Sequence, residues 1–314
     1  MKIAFLFPGQ GSQYVGMGRD FFDQFATARK IFQKADRLLG FSLSSMMFQG
    51  PEDELKKTLN SQLAIFVMSF AILKVVEEKF PGIKPLVCAG LSLGEYTALC
   101  ASGRLSFEEG LFLVKERAQL MTQACESREG AMAAVLGLGS SVVDTVVREL
   151  FPSEQIWVAN YNCPGQVVIS GSRQGVDKTS LKLKEKGAKR VLPLQVQGAF
   201  HSGLMQEAEK KLQPHILKTA FRKSDVSLVM NVPGDLVDSL DELKKFLIQQ
   251  VTHSVRWDAS VRKMQDLGVD LFLEMGSGKT LAGMNRKIGV SSPTYSVEKV
   301  EDLAELEKIL GALK

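Results

Sequence analysis

Ser92 stands in Gly90-Leu91-Ser92-Leu93-Gly94, a G-x-S-x-G pattern between an apolar run, Pro85 to Ala89, and a helix-like segment, Glu95 to Ala101. A strand feeding a sharp turn into a helix is the setting in which this pattern presents a nucleophilic serine. The glycines permit the strained turn. The amides after the serine point outward at the positive end of the helix dipole, where an oxyanion can be held. The competing reading is a plain structural turn, since serine and glycine are common in turns.

An activated serine needs a base, and the chain holds only three histidines. His201, in Gly198-Ala199-Phe200-His201-Ser202-Gly203, falls between a strand end and a new helix, the kind of junction that carries functional side chains. His253, in a polar loop after Gln249-Gln250, is the second candidate, and His215, within a helical segment, reads as structural. Asp144 and Asp177 lie between serine and histidine in the chain, but both fall on helical patterns inside the inserted unit expected at 128–197. A serine–histidine dyad is therefore expected, its histidine fixed by a backbone carbonyl or an amide side chain rather than a third charge.

At about 100° per residue, Leu111, Val114, Ala118 and Met121 share one helix face, and Arg117 falls within it. A guanidinium on an apolar face needs a partner. Either it belongs to an internal ion pair, or it is a fork that binds a substrate carboxylate. Phe7-Pro8-Gly9-Gln10-Gly11-Ser12-Gln13 follows the first strand, where α/β folds place ligand loops. The glycines around Gln10 allow its N–H to approach a ligand oxygen and complete an oxyanion hole with the Leu93 amide. Gly276-Ser277-Gly278-Lys279-Thr280 ends like a phosphate loop, but Leu273 occupies the position of its first glycine, so nucleotide binding is not expected.

These residues must be positioned by a layered α/β architecture. Strands are predicted at Ile3 to Phe7, 84–89, 226–230 and 269–274. Helical patterns run to about Phe80, interrupted by Gly50-Pro51 and by Asn60-Ser61-Gln62. A further helix runs from Ser106 to about Gln123, and others cover 203–219, 240–250 and 257–266. Residues 130–195 change character. Strands at Ala131–Leu138, Ile156–Ala159, Gln166–Ser170 and Arg190–Val196 alternate with helices at Ser141–Leu150 and Val176–Lys186. This β-α-β-β-α-β order is that of a ferredoxin-like unit. The expected division is an outer α/β unit, 1–127 and 198–314, with a small inserted unit, 128–197.

With 314 residues, 45% of them hydrophobic, the chain can bury a substantial core. A net charge of +4 with no block of five like charges gives no sign of a nucleic-acid arm. The four cysteines, Cys88, Cys100, Cys125 and Cys163, show no C-x-x-C spacing, which fits a reducing compartment and disfavours a zinc site. The apolar run at Ile3–Phe7 is too short for a signal peptide, and Leu63–Leu73 is bounded by Gln62 and Lys74. A soluble cytoplasmic protein with no membrane partner is expected.

The combined motifs resemble the malonyl-CoA:acyl carrier protein transacylase family. They are Phe-Pro-Gly-Gln-Gly-Ser-Gln at 7–13, Ser-Leu-Gly-Glu-Tyr at 92–96, Glu-Arg-Ala-Gln-Leu-Met at 116–121, Asn-Cys-Pro-Gly-Gln-Val-Val-Ile-Ser-Gly at 162–171, Phe-His at 200–201 and Val-Arg-Trp at 255–257. The resemblance implies a hydrolase-like core with a ferredoxin-like insertion. It implies Ser92 as nucleophile, His201 as base, Arg117 on the malonyl carboxylate, and the Gln10 and Leu93 amides as oxyanion donors. It also implies the Gln250 carbonyl as orienter of the histidine and Phe200 as a bulky ring that disfavours an α-methyl branch. The implied partners are malonyl-CoA and acyl carrier protein, with no metal or bound cofactor, and the chain is expected to be a monomer. Lys182, Lys184, Lys186, Lys189 and Arg190 could attract an acidic carrier, though a solvated helix face explains them too. Leu91 departs from the family pattern, which places histidine before the serine; that histidine is not the family's base. Two other classes remain at this point. A serine esterase or thioesterase would let water attack the acyl-enzyme and would not need Arg117. A non-catalytic carrier-binding subunit would not need a reactive serine.

Overall fold

The computed structural model describes residues 1–151 and 153–312; position 152, inside the expected inserted unit, and 313–314, at the end of the outer one, lie outside the described residues. The strands are β1 (Ile3–Phe7), β2 (Pro85–Gly90), β3 (Gly130–Leu136), β4 (Ile156–Cys163), β5 (Gln166–Ser172), β6 (Arg190–Pro193), β7 (Ser227–Met230), β8 (Asp235–Leu236), β9 (Leu271–Met275) and β10 (Thr294–Val297).

The fold is mixed α/β with two sheets. The larger has the order β10-β9-β1-β2-β7-β8 and is parallel except for the β7–β8 pair. Every residue of β1 and β9 is buried, as continuous apolar runs covered on both faces require. The smaller sheet, β4-β5-β3-β6, is antiparallel throughout. Its alternation divides its two faces. Val167 and Ile169 of β5 join Val143, Val146, Val176 and Leu183 from the helices Ser140–Leu150 and Arg173–Glu185. Val168, between them, packs into the main core. A period of two residues carries both contacts at once.

The helix Thr58–Lys79 is buried nearly all round and forms the centre of that core. By length and composition it could cross a bilayer, but 89% of its apolar window is buried inside the protein. Phe107 lies 5.7 Å from Phe66 and 4.8 Å from Phe70, ring centre to ring centre, and ties this helix to the helix Phe107–Ser127. Such pairs add about 0.5–1.5 kcal/mol each beyond their burial. Phe107–Ser127 begins as read at Ser106. The Ser106 hydroxyl accepts from the Glu109 amide at 3.2 Å, and the Glu109 carboxylate accepts from the Ser106 amide at 2.8 Å, a reciprocal cap.

Several boundaries differ from the sequence reading. Asn60-Ser61-Gln62 does not interrupt a helix, because all three lie in the first turns of Thr58–Lys79 with partners of their own. Asn60 Nδ2 donates to Glu54 O at 2.8 Å and Ser61 Oγ to Thr58 O at 3.2 Å. β4 continues through Asn160, Tyr161 and Asn162 to Cys163, since the Tyr161 amide donates to Val255 O at 2.9 Å and the polar residues keep strand partners. β6 stops at Pro193, and the helix read from 203 starts at Gln206 after a 3₁₀ turn, Gly203–Met205. β8, β10 and the helices Thr280–Ile288 and Asp302–Ala312 had not been anticipated.

Candidate active site

β2 ends at Gly90, and the helix Gly94–Ala101 starts four residues later. A Cβ on Gly90 would lie 2.0 Å from the Gly94 carbonyl carbon, and one on Gly94 would lie 2.1 Å from Phe7 O. Both glycines are therefore demanded by backbone touching backbone. Ser92, between them, has φ 52°, and His201 has φ 55°; among the described residues these are the only non-glycine positions with positive φ. Side chains tolerate that region poorly, so the surrounding structure must hold both residues there. The Ser92 amide donates to Asn231 Oδ1 at 2.6 Å. The His201 amide donates to Val251 O at 3.0 Å, and the next residue's hydroxyl, Ser202 Oγ, accepts from the Leu204 amide at 3.2 Å.

The two strained residues meet. Ser92 Oγ lies 2.8 Å from His201 Nε2, and His201 Nδ1 lies 2.7 Å from Gln250 O. A carbonyl only accepts, so Nδ1 carries the imidazole proton and Nε2 is free to accept the serine hydroxyl proton. Burial, then the charge of Arg117, hold the His201 pKa down to about 4, which keeps the ring neutral near pH 7. The other histidines stand apart from this contact. His253 is exposed and its Nδ1 faces Thr252 Oγ1 and Gln249 O, at 2.8 and 3.0 Å. His215 Nε2 lies 3.5 Å from the Glu116 carboxylate.

Arg117, 1% exposed, reaches the same point from the helix Phe107–Ser127. Its Nη2 donates to Ser92 Oγ and to Gln250 Oε1, both at 3.0 Å, and its Nη1 donates to Gln62 Oε1 at 2.6 Å. Its Cζ stands 5.6 Å from the centre of the Tyr96 ring. Among the described residues Arg117 makes no ion pair, and its Nε has no hydrogen-bond partner. Neutral amides and an aromatic face thus hold a buried cation beside the serine.

The oxyanion candidates lie at the same junction. Leu93 is buried at the start of the elbow helix, and the Leu91 amide donates to Phe7 O at 3.0 Å, which brings the loop after β1 against the elbow. Gln10, in that loop, reaches Gln62 Nε2 with its Oε1 at 3.4 Å. Among the described residues the Leu93 and Gln10 amides donate to no other group. Phe200 packs into the main core directly before His201. A cleft of about 700 Å³ borders His201 and is lined by Trp157, Tyr161, Gly203, His253 and Arg256 among others, but not by Phe200.

Sequence reasoning missed Gln62, Glu95, Asn231 and the Gln250 side chain. Gln62 was read as part of a break, yet a glutamine directly preceding the apolar run Leu63–Met68 of a helix was a usable signal. Asn231 directly follows β7, at the carboxyl end of a parallel strand, where sites collect in such sheets. The structure also accounts for the phosphate-loop decoy. The Leu281 and Ala282 amides, at the start of Thr280–Ile288, donate to the two oxygens of Glu274, each at 3.0 Å, and the Gly278 amide donates to Glu298 at 2.8 Å. The chain's own carboxylates fill the place of a phosphate.

The model for the acyl transferase domain matches residues 4–304. A malonyl CoA-acyl carrier protein transacylase of Bacillus subtilis is 42% identical over 306 residues, 96% of this chain and 95% of that protein. The crystal structure of the enzyme of the same name from Clostridium perfringens superposes with a TM-score of 0.94 at 36% identity, covering 100% of this chain and 98% of that one. A type II polyketide synthase acyl-carrier protein in complex with its malonyl-transacylase gives a TM-score of 0.94 at 35% identity, covering 98% of this chain and 100% of that one. With similarity of this extent running from the first strand to the last helix, the chain belongs to the acyl transferase domain family and, within it, to the malonyl CoA-acyl carrier protein transacylases.

Proposed function

We propose that this enzyme transfers a malonyl group from malonyl-CoA to the phosphopantetheine thiol of acyl carrier protein through a malonyl-serine ester, supplying fatty-acid chain elongation. The observation that carries the reading is Arg117: a fully buried guanidinium that makes no direct ion pair among the described residues, 3.0 Å from the serine hydroxyl. Malonyl differs from acetyl by one carboxylate, and Arg117 offers a bidentate partner for it.

Ser92 Oγ attacks the thioester carbonyl while its proton passes to His201 Nε2. The Leu93 and Gln10 amides hold the oxyanion. The tetrahedral adduct collapses, the carbon–sulfur bond breaks, and the proton on His201 goes to the departing coenzyme A sulfur. In the second half the carrier thiol gives its proton to His201 and attacks the ester, and Ser92 Oγ leaves with that proton. The Gln250 carbonyl keeps the imidazole in its tautomer. The charge of Arg117 disfavours the imidazolium, so a malonyl carboxylate on Arg117 offsets that repulsion as well as anchoring the substrate. None of these steps uses a metal or cofactor. Phe200, beside His201 in sequence, is proposed to disfavour an α-methyl branch.

The division proposed for the chain is a hydrolase-like unit, 1–127 and 198–314, with a ferredoxin-like insertion, 128–197. The β4-β5-β3-β6 order and the β-α-β-β-α-β connection support the second name. The protein is proposed to act as a soluble cytoplasmic monomer.

The test compares transfer from malonyl-CoA and acetyl-CoA in Arg117→Ala. Losing one side of a buried charge pair costs roughly 2–5 kcal/mol, about 30-fold to several-thousand-fold in malonyl transfer. Acetyl transfer should persist or rise. Equal loss of both activities together with a lowered melting temperature would make Arg117 structural and remove the main support for malonyl.

A further inference from the structure

Glu95 is a fully buried carboxylate that the mechanism does not use. Both of its oxygens are engaged by N–H donors. Oε1 accepts from the Asn231 amide and Oε2 from Gln250 Nε2, each at 2.6 Å. Each partner leads to one half of the chemistry. Asn231 spans the elbow: its Oδ1 accepts from the Ser92 amide at 2.6 Å and its Nδ2 donates to Gly90 O at 2.7 Å. That orientation of the amide is the one that satisfies both backbone groups. Gln250 spans the remainder. Its Nε2 donates to Ser92 O at 2.9 Å, its Oε1 accepts from Arg117 at 3.0 Å, and its carbonyl accepts from His201 at 2.7 Å.

We infer that Glu95, acting through Asn231 and Gln250, is the positioning residue that fixes nucleophile and base relative to each other in the acyl transfer proposed above. Ser92 is held in a left-handed backbone conformation, so its amide and carbonyl must be pinned from outside. Asn231 pins the amide and thereby leaves the following Leu93 N–H for the oxyanion. Gln250 pins the Ser92 carbonyl and sets the height of the imidazole. One carboxylate ties the two amides together. The dyad has no carboxylate on its histidine; here the carboxylate acts at one remove, behind the amide side chain of the orienting residue.

The chemistry of the contacts dictates a carboxylate. An ionised carboxylate accepts on both oxygens, whereas a glutamine accepts on one side and sets a second donor against a donor on the other. Keeping a carboxylate wholly out of water is costly, and burial pushes Glu95 up to about 7 against the opposing pull of its two donors. Two apolar groups would fill the space at lower cost, whereas the donors of Asn231 and Gln250 require an acceptor.

Single-turnover acylation of the full chain separates positioning from folding, because the rate constant belongs to folded molecules and the amplitude counts them. Glu95→Gln and Asn231→Ala are each mixed with malonyl-CoA and read by intact mass. A fluorophosphonate, which needs only the serine and its base, is run in parallel. For a displaced reacting group the expected slowing is about 10²-fold in the rate constant, with half-saturation by malonyl-CoA little changed. The double variant should be no slower than the slower single one, since both act on one elbow. Rate constants within threefold of the parent, with only amplitude or melting temperature reduced, would overturn the inference. If Glu95→Gln yields no folded protein, Asn231→Ala decides. A parent enzyme that reacts with the fluorophosphonate but not with malonyl-CoA would overturn the malonyl reading, and the fluorophosphonate rates would still judge Glu95.

Discussion

Ser92 and His201 are the only non-glycine residues with positive φ among the described residues, and they are the pair in contact. His201→Ala should slow acylation by roughly 10²–10⁴-fold, the usual worth of general-base help, whereas His215→Ala should leave the chemical step nearly intact. The reverse ranking in a stopped-time acylation assay would move the base elsewhere. The pH dependence follows from two burial effects of opposite sign. His201 must be neutral to accept a proton, and it stays neutral down to about 4. Glu95 must be ionised to accept from two donors, and it gains a proton as pH falls through about 7. Arg117 is the charged group facing both: it lowers the pKa of each. Acylation should therefore fall in two steps on acidification, near 7 and near 4, and Glu95→Gln should retain only the lower. An upper step that persists in Glu95→Gln would contradict this assignment, since it would then belong to another group. Phe200→Ala should admit methylmalonyl-CoA better by about 1–3 kcal/mol, since one methyl offers little discrimination. Unchanged relative use of the two thioesters would reject a gate at Phe200.

At the scale of elements, the elbow is legible in sequence because its motif is local. Gly90 must lack a side chain because the Gly94 backbone lies against it, a constraint inside the motif; Gly94 must lack one because Phe7 O lies against it, a distant contact that the motif's last glycine still marks. Gly94→Ala should force the elbow off Phe7 and lower stability by about 1–3 kcal/mol, measured by denaturant unfolding. Stability equal to the parent would mean that the turn relaxes freely. Arg117 was legible for a similar reason, since one helix period exposes a charge on an apolar face. Gln62, Asn231 and Glu95 were not, because their roles depend on partners 55, 139 and 155 residues away. A polar residue with a distant partner has no local signature; Asn60-Ser61-Gln62 reads as a break until Arg117 and the Glu54 carbonyl are seen beside it. Beyond β9, the helix Thr280–Ile288 buries Leu281, Met284, Asn285 and Ile288 at helical spacing, a pattern that was open to sequence reading, whereas β10 was not. β10 is a four-residue edge strand paired only with β9, too short for a pattern.

At the scale of the molecule, two sheets share one core. The larger sheet delivers Ser92 from the end of β2 and Asn231 from the end of β7, which are hydrogen-bonded neighbours. The segment after β6 returns His201 to the same edge, and the bundled helices bring Arg117 and Gln62 from behind. The outcome is a serine beside a histidine on a pinned elbow, with a buried cation that, among the described residues, makes no direct ion pair. The most direct measurement of what this arrangement does is intact mass after mixing with malonyl-CoA, first alone and then with carrier protein bearing its phosphopantetheine arm. One malonyl group should accumulate on Ser92, be absent in Ser92→Ala, and discharge onto the carrier far faster than into water. A full adduct on Ser92→Ala, or an adduct that water clears as fast as the carrier does, would contradict malonyl transfer through Ser92.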